Sequence, residues 1–413
     1  MAVIQNMTPS MTREKIELAP STPRARLDSV DLLRGLVMII MALDHVRYPY
    51  FTNSMIWPED ITQTYAALFF TRWITHFCAP LFFLLAGTGA YLSLAQGKTA
   101  KEVSRFFWTR GLWLVLIEIT IIEFAWSFKL GWAFGGVIWA LGWSMVLMSL
   151  LVRLPFRWIA IFGVATMALH HLVDGVKAET FGPFAWLWQI LHGGGAIKIE
   201  TLGITFPILY VLIPWVGVMA GGYALGYVLT WPPERRRKWL WRVGAAMTLV
   251  FIVLRATNLY GNPAPFAVQE NFEKTIIAFL NVTKYPASFQ FLLMTLGPAF
   301  MLLAWFDRFE YRSAFGKIGQ KIVMIGRVPM FYYILHLLTI HLLAIVVGLI
   351  FQQPIAWLWN QPLPMGRRAP AEYGHGLPFI YFMTFFVVVL LYFPCNWFAK
   401  LKQRRKDWWL RYI

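Results

Sequence analysis

The stretch SVDLLRGLVMIIMALDHVRYPYF, residues 29–51, is the first long apolar run of the chain, and it carries Arg34 near its start and the pair Asp44 and His45 near its end. On an α-helix, the eleven residues from Arg34 to His45 turn through about 1100°, so both side chains lie on one face, about 16 Å apart along the axis. Ionisable groups at membrane depth usually face a protein interior or a water-filled cavity. The run therefore predicts a transmembrane helix whose polar face lines a tunnel across the membrane.

Each of these side chains also has a non-catalytic explanation. Arg34 could be an anchor at the cytosolic end that pairs with Asp31 at i−3, and Asp44 could pair with Arg47 at i+3. His45 could be an interfacial histidine. The shared face of Arg34 and His45 favours a functional interpretation only where another feature of the chain supports it.

The composition is that of an integral membrane protein. Of the 413 residues, 58% are hydrophobic and only 14% are charged, whereas a soluble domain carries about 25% charged residues. The 21 tryptophans suit two interfacial belts. The net charge of +17 resides mainly in short loops between apolar runs, so we expect no nucleic acid partner. Cys78 and Cys395 fall inside apolar runs, which argues against a disulfide framework.

Apolar runs long enough to span a bilayer predict an all-α, polytopic membrane protein with about ten transmembrane helices. The runs lie near 33–50, 75–95, 107–127, 132–152, 157–174, 206–229, 240–257, 287–306, 329–350 and 377–398. A further piece at 184–195 is too short to span. With both termini in the cytosol, most of the 37 Lys and Arg residues fall on the cytosolic side, as the positive-inside rule requires.

This topology divides the chain into three parts. Residues 1–28 are polar and are predicted to form a cytosolic tail, and residues 29–399 form the transmembrane domain. Residues 400–413, KLKQRRKDWWLRYI, are basic and aromatic, which predicts a cytosolic tail at the membrane surface.

Several segments resemble one known family of membrane enzymes. The opening RLDSVDLLRGLVMIIMALDHVR is similar to the start of the heparan-α-glucosaminide N-acetyltransferase-like membrane proteins. The spacing from Arg34 to His45 also matches the R-x10-H signature of the acyltransferase-3 family. The likeness continues in WITHFCAPLFFLLAGTGAYL (73–92), ILYVLIPWVGVMAGGYALGY (208–227), NVTKYPASFQFLLMTLGPA (281–299) and GRVPMFYYILHLLTIHLLA (326–344).

The resemblance implies an acyltransferase of a bacterial inner membrane. An acyl group, acetyl in the named family, would pass from cytosolic acyl-CoA to a hydroxyl or amine of a glycan or lipid acceptor at the outer face. Membrane lipids are the other expected partners, and a homodimer is a candidate assembly. In the lysosomal branch the catalytic histidine lies in the loop after the first helix, but residues 46–72 here contain no histidine. The catalytic role of His45 is therefore implied by the acyltransferase-3 pattern.

The residues suit this chemistry. A neutral histidine can remove the acceptor's proton or carry the acyl group, which gives His45 a catalytic role with Asp44 beside it. Arg34 suits phosphate or a developing oxyanion. The candidates for substrate binding are Asp31, His76, Lys284, Tyr285, Arg327 and His336.

Other ionisable residues in the spans are weaker candidates. Glu118 and Glu123 are five residues apart on one predicted helix, so they cannot share a face, and Arg255 is a possible partner for either. The pairs His170–His171 and His336–His341 have poor spacing for joint ligation, so we expect no metal and no haem.

Two other classes of function compete with the acyltransferase. A transporter or flippase of a lipid or sugar would also need many spans and a polar cavity, but no internal repeat or matched pair of broken helices is evident. A membrane redox protein is disfavoured by the histidine spacing. Consumption of acyl-CoA in the presence of pooled glycans separates the first class from the other two.

Overall fold

The computed structural model of the protein describes residues 27–51, 56–131, 134–308, 316–359, 369–370, 372–405 and 407–413. The N-terminal tail predicted at 1–28 lies almost wholly outside the described residues, as does Lys406 of the C-terminal tail.

The described chain is mainly helical, as the sequence predicts. Its longer helices are α1 (Asp28–His45), α2 (Ala66–Ala95), α3 (Ala100–Ile117), α4 (Val137–Leu151), α5 (Phe156–Val173), α6 (Leu212–Leu229), α7 (Pro233–Thr257), α8 (Phe272–Leu280), α9 (Phe289–Phe306), α10 (Gly316–Gly326), α11 (Pro329–Ile350) and α12 (Leu377–Arg404). Wider π-type turns at Val46–Phe51 and Glu118–Ile122 extend α1 and α3, and short helices occupy Glu123–Ser127 and Ala185–Trp188.

Seven of the described helices, α2, α5, α6, α7, α9, α11 and α12, are long and apolar enough to cross a membrane. Helices also lie at the other three predicted positions. Of these, α1 and α3 carry several charged residues, and α4 is only 15 residues long. The multi-pass architecture is thus confirmed, whereas the count of ten spans and the cytosolic termini stay predictions.

A small β-hairpin follows the short helical segment at 185–193. Strand β1 (Gly195–Ile199) pairs antiparallel with β2 (Ile204–Ile208), with Gly195 opposite Ile208. Gly135, just before α4, forms an isolated bridge with Ile208. The hairpin therefore fixes the backbone that leads into α4.

The helices differ in how much of their surface the protein covers. In α6, 78% of the apolar segment is buried inside the protein, and in α9 the buried share is 72%. These two helices therefore form the centre of the bundle. In α5 and α7 only 17% and 22% are buried, as expected for helices whose apolar sides face lipid.

Local sequence signals set where helices begin. The side chain of Thr99 accepts a hydrogen bond from the Glu102 backbone N–H at 3.2 Å, while the Glu102 carboxylate accepts from the Thr99 N–H at 2.8 Å. This capping box satisfies the free N–H groups at the start of α3.

Close helix contacts depend on glycine. A Cβ atom on Gly87 of α2 would lie 1.8 Å from the Met219 carbonyl oxygen of α6, and one on Gly222 of α6 would lie 2.0 Å from the Leu84 carbonyl oxygen. Backbones that approach this closely gain packing contacts that bulky side chains would prevent. The pair α2 and α6 is therefore held by glycines on both sides.

Glycines also allow α10, which lies between two predicted spans, to pack closely against α1. A Cβ atom on Gly35 would lie 2.0 Å from the Ile322 carbonyl oxygen, and one on Gly326 would lie 2.1 Å from the Asp31 carbonyl oxygen. The end of α10 is thereby brought next to the first turns of α1.

We predict that Gly87→Ala destabilises the protein, because its Cβ would overlap backbone that cannot yield, and overpacking costs about 1–3 kcal/mol. Gly89→Ala, two residues along the same helix, is the matched control, since a Cβ there has no atom within 4 Å. Thermal unfolding of both variants in detergent tests the prediction. Equal melting temperatures for the two would contradict the proposed tight contact.

Candidate active site

His45 ends α1 and contacts His336 in the middle of α11. The His45 Nδ1 and His336 Nε2 atoms are 2.6 Å apart, and the two rings stack with centroids 4.9 Å apart. His336 is fully buried. The sequence named both histidines as candidates, and the structure brings them into direct contact across 291 residues of chain.

The hydrogen bonds define which nitrogen carries each proton. A carbonyl oxygen can only accept, so His336 donates from Nδ1–H to the Tyr332 carbonyl at 3.1 Å. In a neutral His336 the Nε2 atom then holds a lone pair and accepts from the His45 Nδ1–H. The Nε2 atom of a neutral His45 is left with a lone pair, and it has no hydrogen-bond partner among the described residues. That atom is the available base.

Aromatic rings enclose the His45 imidazole. The Trp126 ring lies edge-on with its centroid 5.0 Å away, and the Tyr333 ring is 6.2 Å away. These rings limit the motion of the imidazole, so His45 is held by packing as well as by its hydrogen bond.

Asp44 does not orient the His45 ring but joins a cluster of ion pairs. Its Oδ1 accepts from Arg47 Nη2 at 2.9 Å, at the i+3 spacing that the sequence indicated. Its Oδ2 accepts from Arg72 Nη1 of α2 at 2.5 Å. Arg72 also donates from Nε to Glu59 Oε1 at 2.8 Å. The sequence analysis did not single out Arg72, although an arginine inside an apolar helix is a functional candidate by default.

His76 belongs to the same cluster and not to the surroundings of His45. It is buried, and its Nε2 lies 3.5 Å from Glu59 Oε1. Burial alone would raise the pKa of the Glu59 carboxyl, but Arg72 and His76 hold that pKa well below its usual range. Glu59 is therefore an ionised carboxylate that connects the loop after α1 to α2.

A cavity of about 310 Å³ opens in front of His45. We name it the His45 cavity. Its lining includes His45, Asp44, Arg47, Arg72, Glu118, Trp126, Phe134, Val137, Tyr210, Lys284, Tyr285 and Tyr333. The candidates Lys284 and Tyr285 thus reach the same space as His45, with the Lys284 Nζ 5.1 Å from the centre of the Tyr285 ring.

A second cavity, of about 450 Å³, lies at the other end of α1. We name it the Arg34 cavity. Its cations are Arg34, Lys98 and Arg110, and its apolar lining includes Met38, Leu85, Phe107, Met145 and Met330. Tyr333 also lines this cavity, so its side chain stands between the two spaces.

A small ion-pair group holds Arg34 in place. Its Nη1 donates to Asp31 Oδ1 at 2.9 Å, as the i−3 spacing indicated, and to the Gly326 carbonyl at 3.2 Å. Arg327 pairs with Asp28 at 3.1 Å and approaches Asp31 Oδ2 at 3.5 Å. Asp31 and Arg327 lie beside Arg34 but outside the lining of the Arg34 cavity.

The structure places Arg34 and His45 at two cavities that adjoin at Tyr333, so a continuous tunnel between them stays a prediction. His76 and His336 line neither of these cavities, because both are buried against neighbouring residues. The suggested pairing of Arg255 with Glu118 or Glu123 is also not found, since Arg255 donates to the carbonyls of Ala264, Ala278, Phe279 and Asn281.

No group of three or more His, Cys, Asp or Glu side chains suited to a metal ion is found among the described residues.

One family of known proteins matches the chain. The model of the family described as heparan-alpha-glucosaminide N-acetyltransferase, catalytic, covers residues 26–260, which is more than half of the 413 residues. The match includes α1 with Arg34 and His45, whereas α11 with His336 follows it. Among curated proteins, no match to the chain is found. The likeness to the acyltransferase-3 family stays a prediction.

We predict that Arg72→Gln lowers the melting temperature strongly, because it leaves Asp44 and Glu59 without their shared cation. Removing one partner of a buried ion pair costs about 3–5 kcal/mol. The double variant Arg72→Gln, Glu59→Gln should recover part of the loss, since one unpaired carboxylate is then neutral. Strictly additive losses in thermal unfolding would show that the two side chains do not depend on each other.

Proposed function

The chain belongs to the heparan-alpha-glucosaminide N-acetyltransferase catalytic family, and from this premise we propose that it moves an acetyl group from cytosolic acetyl-CoA to an amine or hydroxyl of a glycan or lipid acceptor at the outer face. The observation that carries the proposal is the pair of cavities on either side of Tyr333, one with Arg34 and one with His45.

The Arg34 cavity suits the donor. Its cations Arg34, Lys98 and Arg110 can meet the phosphates of a coenzyme A, and its apolar lining suits the pantetheine arm. Arg34 is presented in a fixed orientation by Asp31 and the Gly326 carbonyl. Arg327, which pairs with Asp28 nearby, adds positive charge at the same end. The thioester would then point past Tyr333 toward His45.

The His45 cavity suits the acceptor and the reaction. As the acceptor's nitrogen or oxygen attacks the thioester carbonyl carbon, its proton passes to His45 Nε2. The carbon–sulfur bond breaks, and the coenzyme leaves as a thiolate that recovers a proton. The imidazolium formed on His45 is stabilised by its charged hydrogen bond to His336 and by the neighbouring Asp44 carboxylate.

The other predicted residues take supporting roles in this scheme. Lys284 and Tyr285 line the His45 cavity, where they can bind the acceptor's oxygens or an anionic group. His76 acts only through Glu59 and Arg72, whose pairing with Asp44 keeps that carboxylate beside His45.

We also propose the topology that this reaction needs: ten spans, both termini in the cytosol, and residence in a bacterial inner membrane. The basic residues at the Arg34 end support this orientation under the positive-inside rule. The alternative of a transporter or flippase has no support from the family match, because the description of that family is that of a transferase.

We predict that His45→Ala lowers acetyl transfer about 10²–10⁴-fold, the usual effect of losing a positioned general base. His336→Leu should lower the rate constant as well, with the KM values nearly unchanged. His336→Gln should rescue part of it, because the amide oxygen can accept the His45 Nδ1–H. The measurement is thioester consumption by purified protein with acetyl-CoA and an amino-sugar acceptor.

His375→Ala is the control for this series, since His375 lies outside the lining of both cavities. A His45→Ala protein that folds normally and turns over at the wild-type rate would remove His45 from the reaction. A His336→Gln protein as slow as His336→Leu would argue against the hydrogen-bond order deduced for the two rings.

A further inference from the structure

Glu118 has a buried carboxyl group at the wall of the His45 cavity. It begins the π-type turn Glu118–Ile122 after α3, its exposed fraction is 3%, and it lines the cavity with Trp126, Phe134 and Tyr333. The proposed reaction steps leave it without a role.

One of its two oxygens is occupied by the start of α4. A Cβ atom on Gly136 would lie 2.1 Å from Glu118 Oε1, so this oxygen sits directly against the residue before the helix. The backbone N–H groups of Ile138 and Trp139 lie near the Glu118 carboxyl group. These N–H groups belong to the first turn of α4, where helices lack internal acceptors.

The other oxygen, Oε2, is buried and has no hydrogen-bond partner in the part of the chain that the structure describes. A buried, unpaired carboxylate oxygen is unfavourable, so a native protein usually supplies a partner. Arg255, the cation that the sequence suggested, is held by four backbone carbonyls elsewhere. A donor group of a molecule in the cavity can supply the partner that the described residues do not.

The second carboxylate of the cavity cannot serve in the same way. Both oxygens of Asp44 accept from arginines, Oδ1 from Arg47 and Oδ2 from Arg72. Among the described lining residues, Glu118 is thus the acidic residue with an oxygen that has no hydrogen-bond partner. Its neighbours Trp126, Phe134 and Val137 are largely apolar, which strengthens any hydrogen bond to it.

We propose that Glu118 Oε2 accepts a hydrogen bond from the nucleophilic group of the acceptor, and that this contact forms the acceptor subsite of the His45 cavity. The proposal rests on the proposed function. The chemical class recognised is an N–H or O–H donor, that is, an amine or a hydroxyl group of the acceptor.

A purely structural carboxylate would behave differently on substitution by glutamine. In Glu118→Gln the amide oxygen can still accept from the α4 backbone, so a helix-capping role survives. The amide N–H₂ then replaces Oε2 and presents donors to the cavity, which oppose an ammonium or hydroxyl donor. Glutamine therefore separates acceptor binding from support of the fold.

The test is calorimetric titration of purified wild-type protein, without acetyl-CoA, with glucosamine and with glucose as probes. We expect Glu118→Gln to weaken glucosamine binding about 10-fold or more, as for loss of a hydrogen bond to a charged group. Glu118→Asp, which keeps the charge but withdraws it by one methylene, should also weaken binding. Glu123→Gln is the matched control, because Glu123 is buried nearby but is not part of the cavity lining.

Each outcome bears on the subsite. Weaker binding of glucosamine alone supports an ammonium at Glu118, and weaker binding of both sugars supports a hydroxyl. Absence of glucosamine binding to the wild type, unchanged binding by Glu118→Gln, or an equal loss in Glu123→Gln overturns the proposal. Binding that depends on Glu118 without any acetyl transfer by the wild type would leave the subsite standing and remove the proposed function.

Discussion

The 2.6 Å hydrogen bond between His45 and His336 connects the first helix to α11, and the chemistry of the site depends on it. Because the Tyr332 carbonyl takes the His336 Nδ1 proton, the order of donors and acceptors leaves a lone pair on His45 Nε2. A backbone carbonyl thus determines which nitrogen of a distant imidazole keeps its lone pair.

Ion pairs surround this hydrogen bond, because charged side chains in membrane-spanning helices need partners of opposite charge. Asp44 is shared by Arg47 and Arg72, and Arg72 is shared by Asp44 and Glu59. Positive and negative groups alternate through the cluster, so no described carboxylate in it lacks a cation. The cluster thus holds charged side chains in fixed positions beside His45, where a positive charge is proposed to form during the reaction.

The sequence predicted the local parts of this arrangement and missed the distant ones. The pairing of Arg34 with Asp31 follows from their i, i+3 spacing, and the shared face of Arg34 and His45 follows from helical periodicity. The contact of His45 with His336 joins two helices that packing alone brings together, so no spacing rule reveals it. Arg72 is a cation in an apolar helix, a pattern that indicates a functional residue, but the prediction from sequence did not include it. That Tyr333 lines both cavities depends on how the helices pack, which periodicity cannot give.

The central claim is that an acetyl group crosses the membrane through this protein. The most direct test uses proteoliposomes that enclose labelled acetyl-CoA, with a membrane-impermeant amino-sugar oligomer outside and a His45→Ala preparation as the control. The account predicts labelled product outside the wild-type vesicles while the coenzyme stays enclosed. Product that forms only when donor and acceptor are on the same side of the membrane would contradict it.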